Sequence, residues 1–457
     1  MSFSFQRGIY VRPAPSAILT LHRMRFLGIG KGNDLADMYL RLQQRGHEVR
    51  VFVGDPHARD IFRGMLTFTD DWERDLTWAR DGILIFEGIG WGETQDALRR
   101  QGYRVIGGSA LGDRLETDRA FGQDAMRTMG LQTAPSHPFS AFDDALRFVR
   151  EHRRRYVLKF SGHGFASTRN YVGEMDSGDD VLAVLKLQRD RWTYSEKPEF
   201  ILMDHVTGVE VGLGSFFNGR DFLQPANLDW EHKRFFPGNL GELTGEMGTL
   251  ATYRGAEVLF DRTLRHLAPM LRQSGYVGYI NLNTIVNERG IFPLELTCRF
   301  GYPGFVILDA LHACGWDEIF TQLVAGRDTV LRTRDGFAIC VVLTVPTFPY
   351  FHGYEQVGKG SPILFRDTMT AGDRDQLHFA EVCVEGEQLV TAGSVGYVMV
   401  VTGRGATVEA AREDAYARCE KVVIPNVRYR LDIGSQFLSH DQAEMVRLGL
   451  LRGSETL

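Results

Sequence analysis

Two stretches of this 457-residue chain combine residue types that handle phosphate and a divalent cation. The first is Val157-Leu-Lys159-Phe-Ser161-Gly162-His-Gly164-Phe-Ala-Ser-Thr168. A lysine at the end of an apolar strand reaches an α-phosphate, and a loop of small residues offers backbone N–H groups to the β- and γ-phosphates. No Gly-Lys-Ser/Thr follows, so this is not a Walker loop. A surface lysine before a hairpin turn accounts for the residues as well. The second stretch is Leu294-Glu295-Leu296-Thr297-Cys-Arg299-Phe-Gly301. Glu295 and Thr297 alternate onto one strand face. A carboxylate with an oxygen ligand two residues later suits Mg²⁺, which takes few protein oxygens and completes its shell with phosphates and water. Asn283, on the preceding strand, is placed to face the same ion, and Arg299 to hold a phosphoryl oxygen bidentately. A solvated strand face is the plainer alternative. Against it, the neighbourhood of Glu295 is very apolar, and an unpaired buried carboxylate is costly.

Two further stretches are weaker. Glu231-His-Lys233-Arg234, followed by Gly241-Glu-Leu-Thr244-Gly245-Glu246-Met247-Gly248, pairs basic residues with a glycine loop and so suggests an anion site. Alone, it reads more readily as a charged turn. Gly28-Ile-Gly30-Lys-Gly32 opens a helix but has Asn33 where a dinucleotide fingerprint has its last glycine. Such a loop still binds phosphate at a helix N-terminus, or simply makes a tight turn.

The elements that must position these residues follow from periodicity. Met24–Ile29 reads as a buried strand, Asp34–Gln44 as a helix and Glu48–Val53 as a second strand, an α/β unit with parallel pairing. Gly82–Glu87, a helix over Glu93–Gln101 and the strand Arg104–Ile106 extend it into a Rossmann-like opening domain. A helical stretch around Asp113–Met129 follows, then the helix Ala141–His152 and the strands Tyr156–Phe160 and Phe200–His205. Gly208–Gly214 and Ser215–Phe217 alternate as antiparallel strands, and Pro237–Gly248 reads as a long loop. Gly278–Val286 and Ile291–Leu296 form a hairpin around Asn287–Gly290. From about Ala338 short strands and turns dominate, with one late helix, Val408–Lys421, carrying Ala410, Ala411, Ala415 and Cys419 inward.

Composition bounds the reading. The 44% hydrophobic and 24% charged fractions are those of a soluble globular protein. A net charge of −6 gives no general pull toward nucleic acid or acidic membranes. Five dispersed cysteines without a CxxC pair fit a reducing cytoplasm better than disulfides or a zinc knuckle. No apolar run reaches the roughly 18–20 residues of a membrane helix. Only seven of the 52 basic residues are lysine, which singles out Lys159 and Lys233.

Taken in order from Met24 to about Gln436, these pieces resemble glycinamide ribonucleotide synthetase, a family of the ATP-grasp superfamily. Gly30-Lys-Gly32-Asn33-Asp34 is similar to its glycine loop, and Leu115-Glu116-Thr-Asp-Arg119-Ala-Phe121 to its Leu-Glu-Gly-Ser-Lys-Ala-Phe segment. Val157-Leu-Lys159, Gly208-Val-Glu210, His232-Lys233-Arg234, Thr244-Gly-Glu-Met247-Gly248 and Cys298-Arg299-Phe-Gly301 match further family runs. The resemblance implies an α/β and α+β chain. An N-terminal extension (1–23) would precede a Rossmann-like domain (24–125). An ATP-grasp lid (126–205) and large subdomain (206–335) would follow, then a small β-rich C-terminal domain (336–457).

It also implies an acyl-phosphate mechanism with ATP and Mg²⁺, small-molecule amine and carboxylate substrates, no nucleic-acid or membrane partner, and a cytoplasmic monomer or homodimer. Arg119, Lys159, Ser161, Gly162, Gly164, Asp204 and Glu210 would bind ATP, with Glu210 on the ribose hydroxyls. Glu295, Thr297 and Asn283 would hold the metal. Lys233 and Arg299 would stabilise charge on the transferred phosphoryl group. Gly30, Gly32, Asn33, Glu87, Thr244, Gly245 and Met247 would line the substrates.

The ATP and metal frame is kept better than the substrate-facing loops, where Glu87-Gly-Ile-Gly-Trp91 stands for Gly-Pro-Glu-Ala-Pro and Gly32-Asn33-Asp34 for Gly-Gly-Arg-Glu-His. Arg119 stands for a lysine, Thr297 for a metal-binding asparagine, Met203-Asp204 for an acidic hinge pair and Tyr302-Pro-Gly304 for Asp-Pro-Glu. The loop after Lys159 lacks the family's lysine. These changes point to a divergent ligase with another amine or acid. A non-catalytic ATP-binding relative is the reading from a different class. A nicotinamide dehydrogenase is disfavoured by the incomplete fingerprint.

Overall fold

The computed structural model describes residues 23–160, 170–193 and 197–451. The chain opens with β1 (Arg25–Gly30), α1 (Ala36–Gln44), β2 (Glu48–Val53), β3 (Phe68–Thr69), β4 (Ile83–Phe86), α2 (Gly92–Arg100) and β5 (Val105–Ile106). These strands form a parallel sheet of order β3-β2-β1-β4-β5, as the α/β reading expected. Phe26, Leu27 and Ile29 of β1 and all four residues of β4 are buried. A parallel strand covered on both faces requires that continuous apolar run.

The helix expected over 113–129 is two: α3 (Ala110–Thr117) and α4 (Arg119–Thr128). Asp118 separates them in extended conformation, and its side chain accepts the Phe121 amide as the cap of α4. The boundary expected at 125/126 falls inside α4, whose Ala125 and Met126 belong to the main core.

A small body follows: β6 (Ser136–Phe139), α5 (Phe142–Glu151), β7 (Tyr156–Phe160), β8 (Tyr171–Val172), α6 (Asp179–Asp190) and β9 (Phe200–Asp204). Its antiparallel sheet has the order β6-β9-β7-β8, and α5 and α6 close over a core of its own. The loop residues Ser161, Gly162 and Gly164 lie outside the described residues.

The largest layer is an eight-stranded sheet. It contains β10 (Val209–Asn218), β11 (Asn227–Glu231), β14 (Gly248–Thr252), β15 (Val277–Asn287), β16 (Gly290–Thr297) and β17 (Phe337–Thr344), ordered β16-β15-β10-β11-β14-β17. Two late strands, Tyr397–Gly405 and Leu377–Phe379, continue it. The C-terminal domain thus shares the sheet of the body before it. Segments 208–214 and 215–217 are one strand, β10, because the polar Ser215 is buried with its hydroxyl on the Leu223 carbonyl. Between β11 and β14, the expected loop carries a hairpin of β12 (Arg234–Phe236) and β13 (Leu240–Leu243). In the late helix Val408–Cys419, Ala411, Ala415 and Cys419 face inward, whereas Ala410 is exposed. No described helix is long and apolar enough to cross a membrane.

Candidate active site

One face of the large sheet is polar, and strand pairing fixes who shares it. Glu295 lies opposite Asn283, Asn283 opposite Gly212, Gly212 opposite Asp229, and Glu231 opposite Thr249. Residues opposed across antiparallel strands project to the same side. Thr297, Asn281, Glu210 and Asn227, two positions away on their strands, therefore join them. Gly212 and Gly214 leave a trough in the middle of this face. A Cβ at Gly212 would overlap the Asp229 carboxylate, and one at Gly214 the Tyr279 hydroxyl.

Two cavities lie on this face. A cleft of about 700 Å³ separates the small body from the sheet and is lined by Lys159, Asp204 and Glu210. A chamber of about 190 Å³ is lined by Asp229, Glu246, Asn281 and Tyr302. Both are bordered by Glu231, Lys233, Gly245, Glu295, Thr297 and Arg299, which mark their junction.

Ion pairs hold the junction. Glu295 Oε2 pairs with Arg119 and, at 3.3 Å, with Lys159 Nζ across the cleft. Lys159 above all, and Arg119 with it, hold the Glu295 carboxyl well below its usual range despite burial. Burial in turn lowers the Lys159 ammonium. Lys233 Nζ lies 2.8 Å from Glu210 and 3.2 Å from Glu231. Burial opposes its charge, but Glu210 and Glu231 keep its pKa well above the ordinary lysine value. Its neighbour His232 turns inward, accepts the Gly434 amide at 3.2 Å and is pushed down to about 4 by burial. The short link between β11 and β12 thus gives the cleft the lysine and the core the histidine.

Arg299 is clamped by Glu116, whose Oε1 accepts its Nε at 3.1 Å. Asn283 donates to Glu210 Oε1 at 2.9 Å. Thr244 spends its hydroxyl on the Lys233 carbonyl and so braces that segment, while Met247 is wholly buried. Asp204 pairs with Arg154 at 2.9 Å on the rim of the cleft.

The glycine loop after β1 is filled from within. Glu87 is 3% exposed and accepts the Asp34 amide at 2.7 Å, and a Cβ at Gly30 would overlap its carboxyl. Burial and the Asp34 charge push Glu87 up to about 8. Asn33 adopts φ 63° and donates its side-chain amide to the Ile61 carbonyl. Gly30, Gly32, Asn33 and Glu87 therefore build a closed turn beside the site, outside the linings of both cavities.

Sequence reasoning passed over Glu116, Asp229, Asn281 and the chamber role of Glu246. The signal for β11 was present, since Asn227, Asp229 and Glu231 alternate with period two.

Comparison with known proteins places this geometry. Residues 117–305 match the model of the phosphoribosylglycinamide synthetase ATP-grasp (A) domain, and residues 338–436 match the C domain of the same synthetase. Together they take in well over half of the chain. The chain belongs to the phosphoribosylglycinamide synthetase family. Relatives in that family include the phosphoribosylamine–glycine ligase of Mesorhizobium japonicum, 27% identical over 363 residues (76% of this chain, 81% of the relative). That of Clostridium acetobutylicum is 24% identical over 371 residues (79% and 84%). The crystal structure of the Thermotoga maritima phosphoribosylamine–glycine ligase superposes with a TM-score of 0.69 at 24% identity, covering 90% of this chain and all of that one. The biotin carboxylase of Campylobacter jejuni shares the fold at a TM-score of 0.63 and 10% identity, covering 93% and 98%. As a synthetase of this family, the protein is an ATP-dependent carboxylate–amine ligase with the ATP-grasp fold.

Proposed function

We propose that this ligase works through an acyl-phosphate formed where the two cavities join. The observation that carries the reading is the convergence of Arg119, Lys159, Lys233 and Arg299 around Glu295 at that junction. ATP occupies the larger cleft, with Lys159 on its phosphates and Glu210 toward the ribose. A carboxylate oxygen attacks the γ-phosphorus, the bond to the bridging oxygen breaks and ADP forms. The amine nitrogen then attacks the acyl carbon, the C–O bond breaks, phosphate leaves and the nitrogen loses a proton. Lys233 and Arg299, both fixed by carboxylates, meet the charge on the phosphoryl group without reorganising.

Glu295, with Asn283 opposite and Thr297 on the same face, fits a Mg²⁺ ion, since one carboxylate plus neutral oxygens leaves positions for phosphate. The ion, when bound, neutralises β- and γ-phosphate charge.

The Glu87 carboxyl occupies the loop amide that a sugar phosphate would need, and this favours an amine other than 5-phosphoribosylamine. The test is ADP release with MgATP, comparing glycine plus freshly generated 5-phosphoribosylamine with a panel of amino acids and amines. The expected result is ADP formation that requires both an acid and an amine, without preference for the phosphoribosyl pair. Strong turnover with that pair alone overturns the amine reading. MgATP binding with silence across the panel overturns catalysis.

A further inference from the structure

The 190 Å³ chamber beyond Lys233 carries more negative charge than its own cations answer. Asp229 is 6% exposed and Glu246 7%. Each leaves one carboxylate oxygen, Asp229 Oδ1 and Glu246 Oε1, without a hydrogen-bond partner. The other Asp229 oxygen accepts the amides of Asn227 at 2.9 Å and Asn281 at 2.8 Å. These neutral donors orient the carboxylate but supply no charge. The cation that acts on both acids is Lys233, which is already shared between Glu210 and Glu231. Elsewhere in the site each carboxylate has its cation: Glu295 has Arg119 and Lys159, and Glu116 has Arg299. Two buried acids without cations are costly in an empty chamber, and that cost is met either by taking up protons or by a ligand that brings positive charge and hydrogens.

The kind of cation follows from the geometry. Among the described residues no group of three His, Cys, Asp or Glu side chains is disposed to hold a metal ion. A primary ammonium carries three N–H donors in a tetrahedral spread and so can serve two carboxylate oxygens at once. One side of the wall is apolar, formed by Ile307, Leu308 and the ring of Tyr302. This suits a short methylene chain.

We infer that the chamber bounded by Asp229 and Glu246 binds a protonated primary amine on a short aliphatic chain, belonging to a substrate whose other end reacts at the junction with the ATP cleft. The inference rests on the ligase reading for the reacting end alone; the ammonium site stands on the chamber. Two substrates carry this chemistry: a diamine, whose free amine is acylated, and a diamino acid, whose carboxylate is activated.

The test is calorimetric binding to the full-length protein with MgADP present, so that it does not depend on turnover. The probes are 1,4-diaminobutane, 1-butanol, L-ornithine and L-norvaline. Wild-type protein is expected to bind one of the doubly functional probes at least about ten-fold more tightly than its partner lacking the terminal ammonium, the ratio that one charge-assisted hydrogen bond carries. Preference within the amine pair identifies a diamine, and preference within the amino-acid pair a diamino acid. Glu246→Gln and Asp229→Asn are each expected to bring the ratio to within about two-fold while the MgADP affinity stays unchanged. Equal binding within both pairs, or a preference that survives both substitutions, overturns the inference. If the preference appears but no pair supports ADP release, the ammonium site holds and the ligase reading fails.

Discussion

Glu116 and Arg299 lie 183 positions apart, yet the Glu116 side chain grips the Arg299 segment twice. Its Oε1 accepts Arg299 Nε at 3.1 Å and its Oε2 accepts the Cys298 amide at 2.8 Å. The end of α3 thereby sets the direction of the guanidinium at the junction of the cavities. A positioning role of this kind separates kcat from KM. Glu116→Gln keeps the amide contact but loses the charge pair. It is expected to lower kcat by about ten-fold or more with KM for ATP within about two-fold, because the loss falls on transition-state charge. Steady-state kinetics over ATP concentration checks this; a change confined to KM removes Arg299 from the phosphoryl-transfer step.

Among the described residues, Glu295 receives cations from both walls of the cleft, Arg119 from α4 and Lys159 from β7. Glu295→Ala leaves both cations unpaired and removes the charge expected to hold Mg²⁺. Turnover is expected to vanish while the far-ultraviolet circular dichroism stays that of the wild type. Full activity in the folded variant discards the metal assignment.

Lys159 reaches Glu295 from the small body, and in the ligase reading it exchanges that carboxylate for ATP phosphate oxygens. Lys159→Ala is expected to weaken MgATP binding by roughly ten-fold, the effect of losing one charge-assisted contact. Equilibrium nucleotide binding measures it directly, and an unchanged affinity removes the lysine from the nucleotide site.

Strands read well from sequence where burial alternates regularly along them. Glu48–Val53 and Tyr156–Phe160 keep the limits that their alternation predicts, because one periodic pattern serves one unbroken strand. Elements set by single polar contacts read poorly. The Asp118 cap splits one predicted helix into two, and the buried Ser215 carries β10 through what alternation alone divides. The same division runs through the site. Lys159 and Glu295 stand out as charges on apolar strands, whereas the Lys233 run alone reads as a charged turn and is singled out by its place in the ordered family pattern. Asp229 matters because Gly212, on the next strand, leaves room for its carboxylate, and because Glu246 lies across the same chamber. Those are tertiary relations, and no spacing along the chain encodes them. The glycine loop misleads for the matching reason. Its sequence offers amides to a ligand, and the fold has already filled one of them with the Glu87 carboxyl.

The unanswered charge at Asp229 also has a thermodynamic signature. Burial first, and the Glu231 charge second, raise its carboxyl from 3.8 to about 7. A folded-state pKa above the unfolded one means that folding takes up a proton between these values. The stabilising contribution is complete below about pH 4 and is lost as pH rises through about 7, a change on the order of a few kcal/mol. Asp229→Asn has no such dependence. The variant is therefore expected to gain on the wild type as pH climbs from 4 to 7, reaching a melting temperature higher by roughly 2 °C or more at pH 8. Glu87, raised in the same sense to about 8, and Glu246, raised well above the usual carboxylate range by burial and by the Glu231 and Asp229 charges, leave part of the alkaline decline in both proteins. Melting curves at pH 5, 6, 7 and 8 without ligand give the comparison. A gap that stays constant across that series means the carboxylate is already matched by a cation in the free protein, and the chamber then has no charge left for a substrate to satisfy.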